Sequence, residues 1–215
     1  MRDRDSGIIS IMTANDSVRF FDEQFRRQAA AAQFELNPFE ARALPYISGD
    51  VLELGCGLGN LAVAAAHHGA QVTALDGSRA AIESLSARAK DQRLEIATRL
   101  ADLAVYEPER EYDCVVAIGL FMFFRCAVAR RELERALAAV RGGGIAVVNV
   151  LIVGTTFMGM FDEERGYCLF GENELPDLLE GWQMLDDRIE TFDAPGGTIK
   201  RFRTCIARRP ISEPR

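Results

Sequence analysis

The stretch Asp50-Val51-Leu52-Glu53-Leu54-Gly55-Cys56-Gly57-Leu58-Gly59 constrains the fold of this chain more than any other. A short apolar strand runs straight into three glycines at alternate positions. Asn60 to His68 then reads as an alanine-rich helix closed by Gly69. A strand, a glycine turn and a helix in that order aim backbone N–H groups and a positive helix end at a ligand. Glycine lets the backbone approach that ligand closely.

The segments that follow repeat the alternation. Gln71 to Leu75 reads as a second strand ending at Asp76, and Ser78 caps a helix running to about Lys90. Leu94 to Leu100 is a third strand, ending at Asp102. Tyr112 to Ile118 is an apolar fourth strand, and residues 127–140 a helix of alternating charge. Arg141-Gly142-Gly143-Gly144 reads as a turn before a fifth strand, Ile145 to Ile152. Five strands alternating with helices imply a parallel sheet covered on both faces. The last third differs. Residues 154–171 have no clear period, Glu172 to Glu180 is a short helix, and strands 182–192 and 198–208 flank the turn Ala194-Pro195-Gly196-Gly197. Strands so tightly joined pair antiparallel. Upstream, residues 16–33 read as a helix capped by Asp16 or Ser17, with Val18, Phe21 and Phe25 near one face. Pro38 begins a second helix that ends at Pro45.

The chain has 215 residues, enough for one α/β domain. Its formal net charge of −7 weighs against a nucleic-acid partner. Five cysteines, at 56, 114, 126, 168 and 205, are odd in number, widely spaced and without a Cys-x-x-Cys pair. They point to reduced thiols in a cytoplasmic protein rather than to disulfides or a metal knuckle. No apolar run reaches the ~18 residues of a membrane span. Met12-Thr13-Ala14-Asn15-Asp16 looks like a second chain start, so residues 1–15 are expected to be a disordered extension, 1–11 of them upstream of the native start. The domain is expected over 16–210, with 16–45 as a helical cap. A small-molecule substrate and a monomer or homodimer are expected, with no metal and no membrane partner.

Two acids turn the glycine loop into a more specific site. Asp76 ends the second strand, placed to accept hydrogen bonds from two ribose hydroxyls. Asp102 follows the third strand, placed to accept from an adenine amine. Glu53 sits near where an ammonium group would lie, and Asn60 stands where a dinucleotide fingerprint has its third glycine. Together these describe a nucleoside with a charged amino-acid tail rather than a pyrophosphate.

Residues 51–60 resemble motif I of the class I S-adenosylmethionine-dependent methyltransferases. Leu75-Asp76-Gly77-Ser78 is similar to the ribose-binding turn of that family, and Ala101-Asp102-Leu103 to its adenine-contacting turn. Gly119 and Leu120, after a similar fourth strand, would lie beside the cofactor. The resemblance implies S-adenosylmethionine as cofactor, held by Glu53, Gly55, Cys56, Gly57, Gly59, Asp76, Gly77, Ser78, Asp102, Leu103 and Gly119. It also implies a Rossmann-like seven-stranded sheet in the order 3-2-1-4-5-7-6, with strand 7 antiparallel. A narrower likeness, carried by Gly119–Phe124, Leu169–Leu175, Glu180-Gly181-Trp182 and Lys200–Thr204, is to the TehB-type tellurite-resistance methyltransferases. The competing readings are a NAD(P)-dependent oxidoreductase and a cofactor-binding module without turnover.

The acceptor end is less defined. The only histidines, His67 and His68, lie on the helix after the glycine loop, so no imidazole is expected as general base. A tellurite- or selenite-type oxyanion or a thiolate needs none. An O- or N-methyltransferase of a small metabolite is the alternative. An alcohol acceptor would need a base, for which Asp162, Glu163, Glu164 and Tyr167 are candidates. Phe121–Phe124 are expected to form an aromatic wall, with Arg125 attracting an anion. Arg125 and Tyr167 are the candidate catalytic residues, and 154–170, with Arg165, a lid or binding loop. The N-terminal helix, with Phe20, Phe21 and Phe25, either closes over the cofactor or only packs on the sheet.

Overall fold

The computed structural model describes residues 16–161 and 166–211, and the side chains from Phe21 onward. The expected N-terminal extension therefore falls outside the described residues. So do Asp162, Glu163, Glu164 and Arg165, and the side chains of Val18 and Phe20.

Seven strands form one sheet: β1 (Asp50–Leu54), β2 (Gln71–Asp76), β3 (Ile96–Leu100), β4 (Tyr112–Ile118), β5 (Val140–Leu151), β6 (Gln183–Ala194) and β7 (Thr198–Arg208). Their spatial order is 3-2-1-4-5-7-6, as expected. β1 to β5 pair parallel, and β7 runs antiparallel to both β5 and β6. The helices are α1 (Asp16–Ala30), α2 (Pro38–Ala43), α3 (Asn60–His67), α4 (Arg79–Asp91), α5 (Cys126–Ala138) and α6 (Glu174–Leu178).

The central strands are apolar on both faces because helices cover both. Leu52, Val115, Ala146 and Val148 face α5 and α6, packing with Leu133 and Leu175. Val51, Cys114, Val116 and Val147 turn to the other face and pack with Leu61 of α3 and Leu85 of α4. This alternation is the period-2 signature of a strand. Each fully buried leucine contributes roughly 1.5–3 kcal/mol.

Two local readings are corrected. The segment Arg141-Gly142-Gly143-Gly144 is not a turn before β5 but a bulge within it. Val140 pairs with Tyr112 and Ile145 with Cys114, so the residues between loop out of register. The expectation of five reduced thiols also fails. Cys126 and Cys168 form a disulfide, with Cα atoms 4.6 Å apart, while Cys56, Cys114 and Cys205 are free and buried. A separation of 42 residues hid the pair. The segment after β5 returns to lie beside the end of β4, where the Cys168 N–H donates to the Met122 carbonyl at 3.1 Å. Among the described residues, no helix is long and apolar enough to cross a membrane.

Candidate functional site

A cleft of about 1520 Å³ opens at the carboxyl ends of β1, β2, β3 and β4. Every residue expected to hold the cofactor lines it except Gly59. Gly59 works from beneath. It begins α3 with φ +69°, and a Cβ there would come within 2.5 Å of the Leu85 methyl carbons. Its missing side chain lets α4 close against the turn.

Four N–H groups of the turn point inward. Gly55 and Cys56 both donate to the Leu75 carbonyl, at 2.8 and 3.0 Å. Gly57 donates to Asp76 Oδ2 at 2.8 Å, and Gly59 to the Cys56 carbonyl at 2.8 Å. These four donors are spent inside the protein, while no side chain caps the first turn of α3. Asp76 also accepts from the Ser78 N–H through Oδ1 at 2.8 Å. Each of its oxygens keeps a lone pair for a further donor, as paired ribose hydroxyls require. Burial raises the Asp76 pKa, against the lowering effect of these N–H groups.

Glu53 is a buried acid of the cleft wall. Its side chain lies on β1, only 5% of the residue is exposed, and no described donor reaches its carboxylate. Burial first, then the charges of Glu40 and Asp76, push its pKa well above the usual carboxylate range. Such a group is stable as an anion only when a cation arrives. An ammonium beside Glu53 and Glu40 meets that need. The lining therefore suits S-adenosylmethionine: a buried carboxylate, Glu53, can meet an ammonium, and the Asp76 oxygens remain open to further donors.

The sequence reading missed the groups that the N-terminal segment brings. Glu40 belongs to a capping box in which Asn37 accepts from the Phe39 and Glu40 N–H groups and Glu40 accepts from Asn37 N. The Asn37-Pro38-Phe39-Glu40 pattern is a legible capping signal, but nothing in it says that Glu40 also lines the cleft. Of the two placements left open for α1, the helix takes the one over the cleft. Asp22 accepts from Ser78 Oγ at 2.6 Å and Ala80 N at 3.0 Å, which docks α1 on the start of α4. The Phe25 ring lies above Gly57, where a Cβ would come within 3.2 Å of it.

At the far end, Leu120, Phe123 and Phe124 line the cleft after β4. Phe21 packs edge-on against Phe123 at 4.8 Å. Phe161 follows Phe123 at 5.8 Å, and Tyr167 stacks on Phe161 at 4.8 Å. Arg125 and Tyr167 are not among the residues lining the cleft; Arg125 precedes α5 next to the disulfide. His67 and His68 are exposed at the carboxyl end of α3, with His67 Nε2 2.8 Å from Gln92 Oε1. Among the described residues no group of His, Cys, Asp and Glu could hold a metal ion.

Residues 51–144 match the family described as a methyltransferase domain. The probable S-adenosyl-L-methionine-dependent methyltransferase TehB of Haemophilus influenzae is 26% identical over 165 residues, covering 74% of this chain and 57% of that protein. The chain thus spans little more than half the length of this relative. A ubiquinone biosynthesis O-methyltransferase of Bradyrhizobium sp. is 31% identical over 187 residues, covering 82% of this chain and 71% of that one. Among solved structures, TehB from Haemophilus influenzae superposes with a TM-score of 0.71 at 24% identity, over 81% of this chain and 62% of that chain.

Proposed function

The chain belongs to the class I S-adenosylmethionine-dependent methyltransferases and is TehB-like, and from that premise we propose that it methylates a small molecule whose nucleophilic atom needs no general base. When bound, S-adenosylmethionine supplies a methyl group activated on a sulfonium. The protein's part is to bind, orient and dehydrate. Asp76, Gly77 and Ser78 hold the ribose end, Asp102 and Leu103 the adenine, and Glu53 with Glu40 the amino-acid tail. Gly119 leaves room beside the reacting centre. Phe25 and Phe21 of α1 exclude water from above, which favours an in-line displacement by positioning and desolvation.

One observation carries this reading. Gly55, Cys56, Gly57 and Gly59 spend their N–H groups internally, while the buried Glu53 carboxylate is left without a described donor. That pairing suits a cationic nucleoside and disfavours a pyrophosphate. Calorimetry tests it: S-adenosylhomocysteine is expected to bind with Kd on the order of micromolar, and NAD and NADP not at all. Binding of either dinucleotide at comparable strength would overturn the reading.

The TehB likeness favours a second reading, a tellurite- or selenite-type oxyanion as acceptor, with Arg125 attracting it. The acidic lining of the cleft weighs against it. Under this reading Arg125→Ala weakens selenite turnover and spares cofactor affinity; equal loss of both removes Arg125 from that role.

A further inference from the structure

Beyond the cofactor turn the cleft changes character. Phe21, Phe25, Leu120, Phe123 and Phe124 wall it. Phe21 stacks with Phe25 at 5.7 Å and meets Phe123 edge-on at 78°. Phe161 and Tyr167 extend the same row behind Phe123. A volume of about 1520 Å³ also exceeds the roughly 300–1,000 Å³ of a site for one ligand, which leaves room for an organic acceptor beside the cofactor.

The charge of the lining is one-sided. Among the described lining residues, Asp22, Glu35, Glu40, Glu53, Asp76 and Asp102 face two guanidiniums, those of Arg26 and Arg79. Arg26 is spent on Asp22 at 2.7 Å. An anionic acceptor would enter against this field. An acceptor that must lose a proton finds no imidazole in the lining. The carboxylates there are occupied in part: Asp22 by Ser78 and Ala80, Asp76 by Gly57 and Ser78, and Glu40 by Asn37. What remains compatible is a flat, uncharged molecule with an available lone pair.

We propose that the acceptor is a neutral, planar nitrogen heteroaromatic, methylated on a ring nitrogen. The inference rests on the methyl-transfer reading above. The ring-nitrogen lone pair forms the new N–C bond as the C–S bond breaks, and the electron pair of that bond stays on sulfur. The sulfonium becomes a neutral thioether, and the positive charge passes to the ring as an N-methyl cation. No proton moves, so no base is needed. Charge is neither created nor destroyed in the cleft; it shifts from one cation to another between aromatic faces and carboxylates. Aromatic faces attract such a cation, and the Phe21 and Phe123 rings offer a flat acceptor stacking and edge contacts.

The test uses the full chain. Calorimetry with S-adenosylhomocysteine comes first; failure to bind would remove the underlying reading. Quinoline, isoquinoline, selenite, thiophenol and catechol are then offered separately with S-adenosylmethionine, and products are read by mass spectrometry. N-methylquinolinium or its isomer is expected, formed at least about tenfold faster than any product of the other three. Phe123→Leu keeps an apolar side chain and loses the ring. It is expected to lower kcat/KM for quinoline roughly tenfold while S-adenosylhomocysteine affinity is retained. Phe21→Leu, farther from the sheet, is the second variant should Phe123→Leu melt early. Binding of S-adenosylhomocysteine with faster turnover of selenite, thiophenol or catechol, or with no turnover of either heteroaromatic, would overturn the proposal. So would a kcat/KM for quinoline that neither ring-deleting variant changes.

Discussion

The two ends of the cleft are built differently. At the proposed cofactor end, the candidate groups sit at or just past the carboxyl ends of adjacent strands: Glu53 on β1, Asp76 on β2 and Asp102 after β3. The register Glu53↔Ala74 and Leu54↔Leu75, with Asp76↔Leu100, fixes their spacing through ladder hydrogen bonds. At the proposed acceptor end, the wall is assembled from α1, the turn Phe121–Phe123 and the segment after β5; among the described residues the last two are linked by the Cys168 N–H to Met122 carbonyl bond rather than by a strand ladder. Ring packing and the Cys126–Cys168 disulfide hold that end together. A backbone ladder sets positions by local sequence, whereas a wall of packed side chains sets them by contacts between distant residues.

The largest test of that contrast is to cut the covalent tie. Cys168→Ser opens a 42-residue loop and is expected to cost about 2–4 kcal/mol of stability, read as a lower Tm. If the two ends are separately supported, acceptor KM rises while S-adenosylhomocysteine affinity stays put. A parallel fall in cofactor affinity would mean that the ends are one mechanical unit.

The opposite cut is Asp76→Ala. It removes the acceptor of the Gly57 and Ser78 N–H groups together with the expected ribose contacts. S-adenosylhomocysteine affinity is expected to fall about a hundredfold. An affinity within a few fold of the parent protein would show that Asp76 serves the turn and not the ligand.

What could be read from the sequence follows the same division. The strands, the terminal antiparallel hairpin and the acids at the strand ends were legible because periodicity and turn residues are local signals, whereas the strand order came from the family resemblance. The bulge at 141–144 was not, since three consecutive glycines look alike as a turn or as a loop out of a ladder. Nor was the disulfide, because sequence spacing does not reveal that 126 and 168 lie side by side. Glu40 and Asp22 escaped for a related reason. Each has a helix-local explanation, as a capping acid or a surface acid, and its second role appears only once α1 and α2 are folded over β1 and α4.

Glu53→Gln probes the boundary between protein stability and ligand binding. The Glu53 pKa is raised by burial and by Glu40 and Asp76, so the native state holds its proton more tightly than the unfolded chain. Its contribution to stability is therefore fully present below the ordinary value near 4.5 and is lost as pH rises through the raised native value. The unliganded Glu53→Gln variant is expected to be more stable than the parent at neutral pH, with the gap closing as pH falls toward 4.5. Affinity for S-adenosylhomocysteine is expected to drop roughly tenfold. Binding of 5′-methylthioadenosine, which lacks the ammonium, should be unaffected. Calorimetry in buffers of different ionisation enthalpy should also record proton release with S-adenosylhomocysteine and none with methylthioadenosine. Equal proton release for both ligands would separate Glu53 from the ammonium.

The smallest effect is at the contact of α1 with the start of α4. Asp22 caps the first turn of α4 from outside, accepting from Ser78 Oγ and the Ala80 N–H, and pairs with Arg26. Burial alone would raise its pKa. The hydrogen bonds from Ser78 and Ala80, with the charges of Arg26 and Arg79, outweigh that and hold it below its usual value. Its contribution is thus present at neutral pH and is lost only as pH falls below about 3.8. Asp22→Ala removes one capping acceptor and is expected to cost about 1 kcal/mol. Because that loss falls on the α1 contact and not on the sheet, hydrogen exchange should quicken at the amides of residues 21–30 while β1 and β4 remain protected. Release of S-adenosylhomocysteine should speed up with it, since Phe25 leaves Gly57 when α1 does. Unchanged exchange in α1 would mean that the aromatic contacts of Phe21 and Phe25 hold the helix without help from Asp22. Faster exchange without faster release would mean that α1 roofs the cleft but does not retain the cofactor.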